Sequence, residues 1–358
     1  MTAAIRVRLG RVRVRLEQHG CSTFLFLDRF NIRYLCGFSG SEGALLVGTE
    51  DIRLFVDGRY TTQARQEAPA ALVVEYQDKV EELAKALSGS AAATVGFDPA
   101  FMDVKTFLRL QEKSGNRIFR PLPEGALDIR AVKDQEEIEH LRKAAQISAD
   151  ALRLVTGEIR PGAVEKDIAD ELEYVLRKQG AQDISFPIIV ASGPRSALPH
   201  AAPGSRVIQD GDLVIVDYGA VHEGYHADET CTFVVGQASE AIEKMYTLVK
   251  EAHDRALETA QNGISCREVD QAARRCIEEG GMGLYFSHGT GHGVGLDVHE
   301  PPRLSQRSDD ILSAGMVVTV EPGIYLPGVG GVRIEDMVLV TDYKPEVLTM
   351  IPKTMQIL

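Results

Sequence analysis

The sequence predicts an α+β protein of two domains, a smaller α/β domain followed by a larger one built from two related halves. Three observations carry this. The chain has 358 residues, and at roughly 150 residues per domain that makes about two. A cluster of chain breakers, Pro121-Leu122-Pro123-Glu124-Gly125, separates short alternating elements from longer ones and puts a boundary near residue 126, between domains 1–126 and 127–358. Finally, Gly211-Asp212-Leu213-Val214-Ile215-Val216-Asp217-Tyr218-Gly219 matches Gly315-Met316-Val317-Val318-Thr319-Val320-Glu321-Pro322-Gly323. Both read G-x-x-V-x-V-acid-x-G.

The elements follow in order. Ile5, Leu9, Val12 and Leu16 fall at i, i+4, i+7 and i+11, one face of a helix that leaves its arginines in solvent. Ser22–Leu27, Ala44–Val47 and Arg53–Val56 are short apolar runs that suit strands, with the segment Asn31–Phe38 between the first two. A helix near Val80–Leu87, a strand near Thr94–Phe97 and a helix near Val104–Lys113 complete the first domain. Beyond the breakers, Asp134–Thr156 is a long amphipathic helix ended by Arg160-Pro161-Gly162, and Glu165–Gln179 is a second.

Composition narrows the function. The chain is 44% hydrophobic and 25% charged, as globular proteins are. Its net charge of −13 argues against binding nucleic acid or an anionic membrane. No apolar run approaches the ~18 residues of a membrane helix. Five cysteines, odd in number and without a CxxC, suit a reduced, cytoplasmic protein with neither disulfides nor a Cys-rich zinc site.

The repeat concentrates acids. Each copy is followed by a second carboxylate in strand context, Asp228 after Asp217 and Glu335 after Glu321. Two halves facing each other bring four carboxylates to one centre. Two like charges ~4 Å apart repel by about 4 kcal/mol at an effective dielectric of 20, so such a centre needs cations. Two divalent ions offset four carboxylates and lower the pKa of a bound water to near 7. A second signal is His288-Gly289-Thr290-Gly291-His292-Gly293-Val294-Gly295-Leu296-Asp297-Val298-His299, three of nine histidines in a glycine-rich stretch where backbone can approach a ligand closely. His200 lies in a loop rich in Gly and Pro. There is no HExxH, P-loop or G-x-S-x-G elbow.

Asp217, Asp228, His292, Glu321 and Glu335 resemble the five metal ligands of the pita-bread metallopeptidases, family M24, which comprises methionine aminopeptidase, Xaa-Pro aminopeptidase and prolidase. The gap from Asp217 to Asp228, the run Gly291–Glu300 and the strand Val332–Asp336 carry the likeness. Asn31–Phe38 and Val56-Asp57-Gly58-Arg59-Tyr60 resemble the creatinase/prolidase-type N-terminal domain of the proline-specific members. The resemblance implies a C-terminal pita-bread domain. It implies that Asp217 holds one metal, His292 and Glu321 the other, and that Asp228 and Glu335 bridge. One imidazole and four carboxylates make a hard site, favouring Mn²⁺, with Co²⁺ or Zn²⁺ as alternatives. By the same resemblance Glu321 shuttles a proton, His299 polarises the scissile carbonyl or its oxyanion, and His200 and Tyr325 line the substrate site. Arg333, two residues before Glu335, orients that carboxylate, relays protons or forms a salt bridge. His288 reads as structural. Cys231 stands where many relatives carry Arg, alternating off the metal-facing side of Asp228. A homodimer is implied as well.

The leading expectation is therefore a dinuclear Xaa-Pro aminopeptidase acting on proline-containing peptides. The alternative is a prolidase, restricted to Xaa-Pro dipeptides, with Arg303 as a clamp for the dipeptide's C-terminal carboxylate or, equally, as a plain surface arginine. A non-catalytic pita-bread binding protein and a metal-free creatinase-like amidinohydrolase are more remote, because all five ligand positions are filled.

Overall fold

Two units partition the chain, Met1–Arg130 and Ala131–Leu358. The computed structural model describes residues 3–88, 93–122 and 127–358. Pro123, Glu124 and Gly125 of the breaker cluster, and the boundary placed at 126, lie outside the described residues.

In the first unit the strands are β1 (Thr23–Phe26), β2 (Ala44–Gly48), β3 (Ile52–Asp57), β4 (Leu72–Tyr76), β5 (Thr94–Phe97) and β6 (Ile118–Pro121), in sheet order β4-β3-β2-β1-β5-β6. Pairing is antiparallel from β1 to β3 and parallel at both flanks. The helices are α1 (Ala3–Gln18), α2 (Arg29–Cys36), α3 (Thr61–Glu67), α4 (Lys79–Ser88) and α5 (Val104–Lys113). Asp28 caps α2 by accepting from the Asn31 N–H, and Gly37 ends it with φ 87°. The apolar face of α1 buries Leu9, Val12 and Leu16 as its periodicity requires. Its arginines depart from expectation. Arg6 and Arg11 are exposed, but Arg8 lies over the Tyr34 ring at 4.2 Å and Arg13 donates to the carbonyls of Gly48 and Glu50. Their long stems cover apolar surface while the heads satisfy backbone. Strand β6, mostly exposed, and β4, with one buried residue at its end, carry no periodic apolar signal.

The short helix α6 (Leu127–Ala131) precedes α7 (Gln135–Val155), which opens with a capping box between Asp134 and Glu137. α7 stops at Val155, before Arg160-Pro161-Gly162, because a 3-10 turn at Thr156–Glu158 tightens its end. After α8 (Glu165–Lys178) come β7 (Asp183–Ile184), β8 (Ile189–Ser192), β9 (Leu213–Tyr218), β10 (Ala220–His222), β11 (Tyr225–His226) and β12 (Glu229–Val234). Then follow α9 (Glu240–Thr259), α10 (Cys266–Glu279), β13 (Gly291–Gly293), β14 (Glu300–Leu304), β15 (Val317–Val320), β16 (Gly323–Leu326), β17 (Gly330–Arg333), β18 (Asp336–Leu339), β19 (Glu346–Val347) and β20 (Gln356–Ile357).

The repeat is visible in this order. Each half is two helices followed by a strand, a small inserted hairpin and a returning antiparallel strand: β9, β10/β11, β12 in one and β15, β16/β17, β18 in the other. The two main sheets run β20-β12-β9-β8 and β14-β13-β15-β18-β19. One core packs α7 and α8 on the first sheet, another α9 and α10 on the second. After β19 the chain crosses back, and β20 joins β12 in parallel. This duplicated helix-and-sheet architecture is the pita-bread fold.

Candidate metal centre

The four acids occupy equivalent places in the halves. Asp217 is the penultimate residue of β9, and Glu321 directly follows β15. Asp228 and Glu335, expected within strands, instead close two-residue interruptions, between β11 and β12 and between β17 and β18. The break is what turns each carboxylate off the ladder toward the centre. The halves are tied there directly, since the Glu335 N–H donates to the Thr230 carbonyl.

Ligand atoms of Asp228, His292 and Glu335 lie within 4.8 Å of one another. His292 Nε2 is 3.6 Å from Asp228 Oδ2 and 3.5 Å from Glu321 Oε1. Its Nδ1 is 3.0 Å from the Gly293 carbonyl, which fixes that nitrogen as the N–H and leaves the Nε2 lone pair aimed among the carboxylates. Burial lowers the His292 pKa, which keeps that lone pair available. Asp217 Oδ1 is buried with no hydrogen-bond partner. A divalent cation would satisfy this buried carboxylate oxygen beside three more acids.

Electrostatics agree. Burial, followed by repulsion from Glu335, Asp217 and Glu321, pushes the Asp228 pKa well up. Burial, then Glu321 and Asp217, does the same to Glu335. Burial also raises Glu321, against the pull of His288 and Arg333. The donor set fits divalent ions: hard oxygens, one imidazole, and mutual repulsion that cations relieve.

The glycines around His292 have a reason other than ligand approach. A Cβ at Gly291 would meet the Thr319 carbonyl oxygen at 1.9 Å, and one at Gly293 the Pro301 carbonyl at 2.2 Å. The strand bearing His292 is squeezed between β14 and β15, and only glycine fits on either side.

The other predicted residues gather around this core. His299 sits with its ring centroid 4.5 Å from that of His292, its pKa lowered by burial and by His292. Arg333 does not bond Glu335. It donates to Asp217 Oδ2 at 2.6 Å, to the Tyr325 hydroxyl at 2.9 Å, to Thr230 Oγ1 at 3.1 Å and to the Pro199 carbonyl at 3.2 Å. It reaches Glu335 only through Thr230, whose hydroxyl donates to Glu335 Oε2 at 2.7 Å. The side chain of a strand residue leans along the strand, and here it leans across to β9 rather than toward its own acid. Tyr325 is buried, with its hydroxyl held by Arg333 and by His288 Nε2 at 2.8 Å; burial raises its pKa to about 12. His200 is exposed on a turn whose Pro199 carbonyl Arg333 holds. Arg303 is exposed and pairs directly across from His292 in the β13/β14 ladder, so both side chains share one sheet face.

Several positioning groups escaped sequence reasoning. Thr230 was findable, two residues after Asp228 near the start of β12, with its hydroxyl on Glu335. Thr319 Oγ1 accepts the His292 N–H. Asp270 on α10, fully buried, holds Thr290 through its N–H and hydroxyl, and is paired with Arg274, which donates to the His288 carbonyl. Glu165, also fully buried, accepts from the Ser192 and Gly204 N–H groups at both ends of the His200 loop. Neither acid has a local pattern that marks it.

The metallopeptidase family M24 profile matches residues 139–342, and the creatinase/prolidase N-terminal domain profile matches residues 8–132. The chain belongs to metallopeptidase family M24. An Xaa-Pro dipeptidase from Pyrococcus horikoshii is 37% identical over 327 residues, 91% of this chain and 92% of that protein. The solved structure of an Xaa-Pro dipeptidase from Bacillus anthracis superposes with a TM-score of 0.96 at 38% identity, covering 99% of this chain and all of that one. An X-Pro aminopeptidase from Thermotoga maritima superposes at 0.91 and 37% identity, covering 98% and 99%. This M24 chain is a hydrolase, and the family's divalent-metal chemistry fits the cluster found here. Among the described residues no helix is long and apolar enough to cross a membrane.

Proposed function

We propose that this M24 enzyme is a prolidase, hydrolysing Xaa-Pro dipeptides. The sequence alone put the aminopeptidase first, and the two relatives named as dipeptidases favour the alternative. The observation that carries the choice is Arg303, an exposed cation opposite His292 on the same face. A guanidinium there binds a dipeptide's terminal carboxylate bidentately. A longer peptide offers a neutral amide instead.

Two divalent ions, Mn²⁺ by the hardness of the donors, would be held by Asp217, Asp228, His292, Glu321 and Glu335 and would supply a Lewis acid and a water of lowered pKa. The residues do the rest. His299 donates a hydrogen bond to the carbonyl oxygen as it gains charge. Glu321, its pKa raised by burial, takes a proton from the attacking water and hands it to the proline nitrogen. That transfer matters because a tertiary amide nitrogen must be protonated to leave. Arg333 holds Asp217 in place through its 2.6 Å ion pair. His200 and the ring of Tyr325 receive the prolyl ring by shape, since the Xaa-Pro bond has no N–H to recognise.

The deciding experiment compares Xaa-Pro with Xaa-Pro-Yaa, with Mn²⁺ and with chelator. Cleavage of the dipeptide alone, lost with chelator, is expected. Arg303→Ala should then raise KM about tenfold for the dipeptide with little change in kcat. Efficient cleavage of the tripeptide would return the assignment to the aminopeptidase. All five cysteines are free and buried, which suits a reducing cytoplasmic setting, and we propose a homodimer, tested by light scattering.

A further inference from the structure

Asp228 and Glu335 are each followed by a second acid: Asp228-Glu229 in one half, Glu335-Asp336 in the other. Along β12 the side chains alternate. Thr230 and Thr232 face the metal side, bonding Glu335 and the Arg333 carbonyl, while Glu229 and Cys231 face away. On that far side lies a single ammonium. Lys353 Nζ is 2.6 Å from Glu229 Oε1, 3.5 Å from Asp336 Oδ1 and 3.4 Å from Cys231 Sγ. It sits on the segment that leaves β19 beside β18 and returns as β20 beside β12, so it rides the strap between the two halves. Further partners surround the group. The Tyr218 hydroxyl donates to Glu229 Oε2 and the Ile351 N–H to Oε1, while Asp336 takes the Thr349 hydroxyl and faces His253 Nε2 at 3.1 Å.

We propose that Lys353 is a positioning residue for the metal centre: by joining Glu229 to Asp336 it holds the two bridging carboxylates, one residue upstream of each, at the separation two ions require. The proposal rests on the dinuclear reading given above. Four mutually repelling carboxylates do not converge on their own, and the two halves meet at the metal through Asp228 and Glu335. A cation behind the strands pulls together what the acids in front push apart. Partners hydrogen-bonded to the ligands themselves are typically worth 10–100-fold in metal affinity, which sets the scale for a tie acting through the neighbouring residues.

Charge and positioning predict opposite signs, which makes the test sharp. Removing an ammonium near the centre makes the local field more negative and would tighten cation binding. Losing the tie would loosen it. The double variant Lys353→Met with Glu229→Gln leaves net local charge unchanged, since one positive and one negative charge leave together, and isolates position. Metal-stripped full-length chain is titrated with Mn²⁺ by calorimetry, with circular dichroism verifying the fold. The expected result is a folded double variant binding Mn²⁺ about 10–100-fold more weakly than the unaltered chain. Should it fail to fold, Lys353→Gln alone decides by sign: loss of the ammonium's charge would tighten Mn²⁺ binding, whereas loss of the tie between Glu229 and Asp336 weakens it. A folded variant with affinity within about twofold of the unaltered chain, or tighter, overturns the proposal and leaves the dinuclear reading standing. An unaltered chain that binds no Mn²⁺ overturns both.

Discussion

The two halves of the catalytic unit share a plan and differ in what they bring. Each delivers one carboxylate from the end of its main strand and one from a break before the returning strand. In that respect they are interchangeable. Beyond it they are not. The hairpin β10/β11 of the first half packs on α7, where Tyr225 donates to Glu137. The hairpin β16/β17 of the second carries Tyr325 and Arg333 into the centre. His292 and His299 also come from the second half. Duplication accounts for the paired acids; the proposed fifth ligand, His292, and the residues proposed to handle substrate come from what the second half adds.

The largest expected effects test the symmetric part. Asp228→Ala and Glu335→Ala should each lower kcat/KM about a thousandfold, several kcal/mol of charge stabilisation, with metal content falling in parallel. A large inequality between them would break the equivalence of the halves. His299→Ala has no counterpart in the first half. It should cost about 10²–10³ in kcat while bound metal, measured by elemental analysis, stays unchanged. Arg333→Lys keeps the charge but cannot serve four acceptors at once, so kcat/KM should fall about 10–100-fold. Full activity in that variant would confine Arg333 to a passive ion pair.

The smallest effect concerns pH. Asp228, Glu335 and Glu321 have pKa values raised by burial and mutual repulsion. A carboxylate of this kind binds more protons folded than unfolded between its two pKa values. Its stabilising contribution is complete below the unfolded value, about 4, and is lost as pH rises through the folded one. The Tm gained on adding Mn²⁺ to chelated protein should therefore be larger at about pH 7.5 than at about pH 5. A gain independent of pH would place the ions elsewhere.

Most of this plan was legible because it is local. Strands β1, β5, β9 and β15 and helices α5, α7 and α8 follow from apolar period, and the four acids follow from a repeat whose frame is apolar except at one position. What escaped is non-local. Strands β4 and β6 have little buried face to pattern. Arg333 was read toward Glu335 or, equally, as a salt bridge with no named partner, and that partner, Asp217, is far away in sequence. Asp270 and Glu165 look like ordinary helix acids until burial reveals that each holds a loop. Sequence shows which residues can do chemistry; what they lean on appears only when distant segments meet.

Asp217 Oδ1, buried and without a partner, extends the account beyond catalysis. On the proposed reading the ions bind the folded chain and not the unfolded one, which would make the metal part of what keeps the chain closed. Ion at a hundred times its Kd would add about 2.7 kcal/mol to the folded state. Unfolding then becomes a metal-release event, and proteases, which act on the opened chain, in effect sample the free ion concentration. The lifetime of the enzyme, as well as its turnover, would then be tied to metal supply.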